Sequence, residues 1–200
     1  MKTGIFGGTF NPPHNGHKKY AREIIGRLGL DRLIVIPTCV PPHKSEEKPV
    51  SGEDRFEMTK LCFSDIPEAE VSDIELCRGG KSYTVDTVTE LSEKYPHDEL
   101  IFIMGSDMLL SFHRWREPHE ILRKVKICAV TRLGSITKSE LESYVDKYFS
   151  PERDRFIIED FSPLEISSTE VRNAVQNGGD TDGLLDKRVA EYIKKKELYL

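Results

Sequence analysis

The chain is short of several things, and each shortage removes a class of protein. Apolar runs such as Leu33 to Ile36 and Leu100 to Met104 are brief, far below the roughly 20 residues that a helical membrane span requires. Positive charge is not in excess: 29 Lys and Arg against 34 Asp and Glu leave a net charge of −5. An acidic whole argues against a protein that wraps nucleic acid or lies on an anionic membrane, while leaving room for a locally basic pocket. Cysteine is sparse and scattered, at Cys39, Cys62, Cys77 and Cys128, with no C-x-x-C pair. Neither a zinc site nor a disulfide frame is expected, and reduced thiols fit best. Met1-Lys2-Thr3-Gly4-Ile5-Phe6 runs into glycines rather than an apolar signal segment, so the expectation is a soluble cytoplasmic protein. Internal repeats and low-complexity tracts are lacking too. No extended heptad or interface patch is readable, so a homo-oligomer is left open.

What is present is enough for a fold. Two hundred residues, 38% hydrophobic and 32% charged, can bury one sizeable core, and a single domain over 1–200 is expected. Gly4 to Phe6, Leu33 to Ile36, Leu100 to Met104, Ile127 to Thr131 and Phe156 to Glu159 read as strands, the first four apolar on both faces. Gly16 to Leu28, Gly52 to Phe63 and Tyr83 to Tyr95 place apolar residues at three- and four-residue steps, as helices do. Two further helices are expected near Thr169 to Gln176 and Lys187 to Lys196. Glu70 to Leu76 reads as a short strand or an extended loop, Pro37 to Lys48 as an exposed loop, and Ser111 to Glu120 as irregular. Alternating strands and helices imply an α/β architecture: a Rossmann-like, doubly wound parallel sheet with helices on both faces.

The most informative stretch follows the first strand: Gly7-Gly8-Thr9-Phe10-Asn11-Pro12-Pro13-His14-Asn15-Gly16-His17. Ligands of parallel sheets sit outside the carboxyl ends of the strands, where this loop falls. The glycines let backbone N–H groups approach a nucleotide closely. His14 and His17, three residues apart at a helix entrance, share a face, and imidazoles beside helix-start amides suit anionic oxygens. The pattern is neither G-x-G-x-x-G nor G-x-x-x-x-G-K-[ST], which disfavours hydride transfer and the P-loop fold.

This stretch resembles the G-G-T-F-D-P-x-H-x-G-H signature of the HxGH nucleotidyltransferases. Pro41-Pro42-His43-Lys44, Ser82-Tyr83-Thr84-Val85-Asp86-Thr87, Gly105-Ser106-Asp107, Trp115, Arg132 and Ile166-Ser167-Ser168-Thr169-Glu170-Val171-Arg172 extend the resemblance to the nicotinate-nucleotide adenylyltransferase branch. Asn11 and Pro13 depart from it, standing where Asp and Ile are common. The resemblance implies a Rossmann-like fold and a reaction joining nicotinate mononucleotide to the AMP moiety of ATP, with pyrophosphate released, in NAD biosynthesis. It implies catalytic roles for His14, His17, Lys44 and Arg172. It also implies ATP contacts by Gly7, Gly8, Thr9, Phe10, Gly105, Asp107, Arg132, Ser168 and Thr169. Tyr83, Thr84 and Trp115 would take the pyridine nucleotide. Mg²⁺ would arrive on the ATP phosphates rather than in a protein cage.

Structural readings stand beside these roles. Ser167-x-x-Glu170 is a capping box, Asp107 could be a helix cap, Lys44 a solvated loop lysine and Trp115 a packing residue. Sister transferases acting on nicotinamide mononucleotide, phosphopantetheine or a polyol phosphate are the nearest rivals. A class I aminoacyl-tRNA synthetase would need a longer chain and a basic surface. A non-catalytic nucleotide sensor would have been signalled by loss of His17, Lys44 or Arg172.

Overall fold

A computed structural model describes residues 1–40, 50–131, 136–161 and 166–200. Among the described residues six strands form one sheet: β1 (Lys2–Gly8), β2 (Arg32–Pro37), β3 (Ala69–Val71), β4 (Glu99–Gly105), β5 (Lys126–Thr131) and β6 (Phe156–Asp160), in the order β3-β2-β1-β4-β5-β6. The helices among the described residues are α1 (Asn15–Leu28), α2 (Gly52–Phe63), α3 (Ile74–Arg78), α4 (Thr84–Lys94), α5 (Ser106–Leu109), α6 (Pro118–Lys124), α7 (Lys138–Phe149), α8 (Ser168–Gln176) and α9 (Lys187–Lys196). The expected α/β architecture, a parallel sheet flanked by helices, is what the chain adopts. Contacts divide the chain into two compact units, Met1–Phe6 with Tyr83–Ser162 and Gly7–Ser82 with Pro163–Leu200.

In the first unit β1, β4, β5 and β6 pair in parallel, with Thr3 opposite Leu100, Ile101 opposite Lys126 and Ile127 opposite Phe156. β4 is buried from Leu100 to Met104 and β5 from Ile127 to Thr131, which is why both read as unbroken apolar runs. Phe112 anchors an aromatic cluster, its ring centroid 5.3 Å from both Trp115 and Phe149 and 6.2 Å from Phe156. Ser111 to Glu120 is less irregular than expected. A 3-10 turn at Phe112–Arg114 leads into α6, which starts on Pro118, where a missing N–H costs nothing. α7 was not anticipated. Thr137 and Glu140 close a capping box at its start, and Leu141, Tyr144, Val145 and Phe149 form its buried stripe.

In the second unit β2 pairs with β3 in parallel, Leu33 opposite Ala69, and α2 packs on β2, β3 and α9. Ala21, Ile24 and Leu28 of α1, Met58 and Phe63 of α2, and Val189 and Ile193 of α9 supply its core. An ionic cluster borders that core. Lys18 Nζ lies 2.8 Å from Asp65 and 2.6 Å from Asp186, and Arg188 reaches Asp186 at 2.8 Å. Glu70 to Leu76 turns out mixed: β3 ends at Val71 and α3 begins at Ile74. Gly79, at φ 71°, stops α3 in a backbone conformation that other residues resist.

The four cysteines are free thiols, Cys77 exposed and Cys39 half-buried. Cys62 in the second unit and Cys128 in the first are fully buried, and burial pushes each thiol up to about 12.

Candidate nucleotide site

At the end of β1 the two glycines serve different ends. A Cβ on Gly7 would meet nothing within 4 Å, whereas one on Gly8 would lie 2.9 Å from Cζ of Phe10. Gly8 is therefore required by the Phe10 ring as much as by any ligand. That ring is 1% exposed and packs edge-on against Phe63 and His17, with centroids at 6.1 and 5.0 Å. Phe10 takes a left-handed backbone, φ 48°, a strained choice for a bulky side chain that tends to persist where packing over-determines it. Any ligand contact by Phe10 falls to its backbone.

His14 and His17 stand at the start of α1 as expected, and they do more than share a face. His14 is the N-cap. Its Nδ1 accepts the backbone N–H of His17 at 3.3 Å, while Nδ1 of His17 accepts that of His14 at 3.2 Å. The rings stack with centroids 3.7 Å apart. A ring nitrogen that accepts an N–H carries no proton, so each imidazole is neutral and bears its hydrogen on Nε2. His14 is 5% exposed, and burial lowers it from 6.5 to about 4, which keeps it uncharged at neutral pH. The reading that α1 offers free amides needs this correction. The N–H groups of His14 and His17 are spent on each other's rings, and each ring carries its own hydrogen on Nε2.

α8 meets the same loop. Ser167 caps it and forms the expected box with Glu170, at 3.1 and 3.4 Å. Ser168 donates to the Pro12 carbonyl at 2.9 Å, and Arg172 donates to the Asn11 carbonyl at 2.9 Å and to Thr169 Oγ1 at 3.2 Å. The structure thus gathers Gly7, Gly8, Thr9, Phe10, His14, His17, Ser168, Thr169 and Arg172 around one loop. Lys44, in the Pro41 to Lys44 stretch, and Arg132 lie outside the described residues.

Sequence reasoning missed Arg55, which is 2% exposed. Its guanidinium donates to the carbonyls of Thr9 (2.9 Å), Thr38 (2.6 Å), Cys39 (3.3 Å) and Val50 (3.2 Å). It ties the loop after β1 to the segment after β2. A signal was present: Arg55 sits with Met58, Thr59, Cys62 and Phe63 on the buried face of α2, and a charge on an apolar stripe calls for partners.

The first unit holds the remaining candidates. Tyr83 is the N-cap residue of α4 and Thr84 its first residue, and the Tyr83 side chain makes no capping hydrogen bond. The Arg116 guanidinium lies 4.9 Å over the Tyr83 ring and pairs with Asp86 at 3.7 Å. Trp115, the residue before it, is half-buried, edge-on to Phe102 at 6.2 Å, with Nε1 donating to Ser111 Oγ at 3.4 Å. Gly105 ends β4 and is the N-cap position of α5. Asp107 lies within the first turn of that helix, so it is not its N-cap. Among the described residues no cluster of three or more His, Cys, Asp or Glu forms a metal site.

A helix-capped glycine loop ending β1 of a parallel sheet places the chain in a known class: the cytidylyltransferase-like model matches residues 5–174. A Dehalococcoides mccartyi protein named "Probable nicotinate-nucleotide adenylyltransferase" is 40% identical over 200 residues, covering 100% of this chain and 97% of its own. The Bacillus subtilis nicotinate-nucleotide adenylyltransferase is 35% identical over 198 residues, 99% of this chain and 98% of its own. Among solved structures, Plasmodium falciparum nicotinic acid mononucleotide adenylyltransferase complexed with NaAD superposes with a TM-score of 0.78 at 19% identity, covering 100% and 98% of the two chains, and shares the fold. Within that class the chain belongs to the nicotinate-nucleotide adenylyltransferase family.

Proposed function

We propose that this chain transfers the adenylyl group of ATP to nicotinate mononucleotide, giving nicotinate adenine dinucleotide and pyrophosphate, and that residues 1–200 act as one nucleotidyltransferase domain. A phosphate oxygen of the mononucleotide attacks the α-phosphorus of ATP, and the bond from that phosphorus to the bridging oxygen breaks. The attacking monoester has a second pKa of about 6, so it is already mostly a dianion and needs no general base. Catalysis then rests on positioning and on stabilising charge at the leaving phosphates.

The observation that carries this reading is the reciprocal cap of His14 and His17. It fixes both rings in the tautomer that donates from Nε2, with no reorganisation left for the moment of reaction. Ser168, Thr169 and Arg172 bring hydroxyls and a permanent cation to the same loop, suiting the triphosphate. Lys44 and Arg132 are assigned to ATP on the family motif alone, and Gly105 and Asp107 to its sugar. The start of α4, which no Tyr83 side-chain bond closes, suits the nicotinate carboxylate, and Trp115 suits the cationic pyridine ring.

Neutral imidazoles, hydroxyls and a guanidinium are poor partners for Mg²⁺, which prefers carboxylate, water and phosphate oxygens. They fit a Mg²⁺ carried by the ATP phosphates, where it would neutralise charge, better than one held by the protein. A cytoplasmic location fits a chain with a net charge of −5 and, among its described residues, no helix long and apolar enough to cross a membrane.

The test is pyrophosphate release from ATP and Mg²⁺ with nicotinate or nicotinamide mononucleotide. Release favouring the acid is expected. Release with the amide alone would overturn the α4 assignment, and silence with both would overturn the reaction.

A further inference from the structure

We propose that Tyr199 is a positioning residue for the nucleotide loop, its phenol holding Asn11 so that the turn into His14 keeps its shape. The kinetic part of this inference rests on the adenylyl-transfer reading; the structural part does not.

Tyr199 Oη donates to Asn11 Oδ1 at 2.8 Å, across 188 residues of sequence. Asn11 is 7% exposed and is gripped from other directions as well. Its carbonyl accepts Arg172 Nη1 at 2.9 Å, and its Oδ1 also accepts the Val50 N–H at 3.4 Å. The Thr9 carbonyl, two residues earlier, is held by Arg55. The loop between β1 and α1 is thus fixed through Thr9 by α2, through Asn11 and Pro12 by α8, and through Asn11 by the segment after α9.

That last segment reaches Asn11 by an unusual backbone route. Glu197 ends α9 in a left-handed conformation (φ 52°), and Tyr199 adopts another (φ 65°). Two non-glycine residues in this region within three positions need outside contacts to hold them, and the Asn11 bond is such a contact. Burial raises the Tyr199 phenol above its ordinary value, so its O–H remains a donor at every working pH.

The test compares the full chain with Tyr199→Phe, which removes one hydroxyl and keeps the ring. Amide hydrogen exchange of the peptide spanning 7–17 should quicken about fivefold, the change expected from losing one buried hydrogen bond. Exchange over 99–131 should not change. The kcat/KM for ATP should fall by a similar factor of about five, while the KM for nicotinate mononucleotide stays put, a split that general destabilisation would not produce. In an Asn11→Ala background, adding Tyr199→Phe should change neither readout. Unaltered exchange over 7–17, or an undiminished effect of Tyr199→Phe without the Asn11 amide, overturns the proposal. Wild-type protein that binds ATP without releasing pyrophosphate would overturn the reaction instead, and the exchange comparison would still decide the role of Tyr199.

Discussion

Two helix starts, those of α1 and α4, use the same physical resource in opposite ways. A helix begins with amides that lack partners inside it. At α1 the chain satisfies the N–H groups of His14 and His17 itself, each with the other's ring, which leaves the hydrogen of each ring on Nε2. At α4 the Tyr83 side chain caps nothing, so a carboxylate from outside can meet the amides. Under the proposed assignments, a closed start presents side-chain donors of fixed tautomer to phosphate oxygens whose charge grows during reaction. Under the same assignments, an open start presents the backbone itself to a small anion that stays unchanged.

This contrast can be broken experimentally. The largest effect is expected from His17→Ala, which should lower kcat by about a hundred- to a thousandfold, as removal of a preorganised donor does. The lost cap should cost only about 1 kcal/mol of stability. Turnover close to wild type would remove His17 from the chemistry.

Next is a pH effect confined to the closed start. The unfolded chain protonates His14 near 6.5, and burial lowers that to about 4 in the folded chain. Stability is therefore complete above pH 6.5 and falls as pH drops through that window, by as much as about 3 kcal/mol. Urea midpoints across that range should show the loss, and His14→Asn, which can still cap, should flatten it. An unchanged slope in that variant would mean that His14 is not the group responsible.

Trp115→Ala should raise the KM for nicotinate mononucleotide about tenfold, the scale of a stacked cation, with little change for ATP. Equal effects on both substrates would end the stacking assignment. The smallest change should come from converting the open start into a closed one. Tyr83→Ser supplies a cap worth about 1 kcal/mol to the helix. It should raise the KM for the acid severalfold and leave that for ATP alone, and a variant with unaltered kinetics would show that the α4 amides are not used.

Much of this was legible beforehand, for definable reasons. Strands β4 and β5 are apolar on both faces, a pattern that parallel sheets impose, and the Ser167–Glu170 box announced α8. α7 carried an equally clear box and stripe. Half of that stripe is Tyr144 and Phe149, residues that strands favour as well, and no element was expected there. α3 was hidden because its five residues are too few to show a period. At the site, residues joined by short sequence spacing were found: His14 with His17, Ser167 with Glu170. Those joined only by folding were not. Arg55 reaches Thr9 over 46 residues and Tyr199 reaches Asn11 over 188, and no local pattern encodes either bond. The reciprocal bonding of the two histidines also escaped, because spacing shows that two rings share a face and not which nitrogen each presents.

The buried cysteines have a practical consequence. A thiol held near 12 and shut away from solvent reacts with alkylating agents only when the protein around it opens. Cys62 lies in one compact unit and Cys128 in the other, so each unit contains its own chemical clock. Exposed Cys77 should label at once and mark time zero. Equal labelling rates at Cys62 and Cys128 would describe a molecule that breathes as a whole, and unequal rates would identify which unit lets go first.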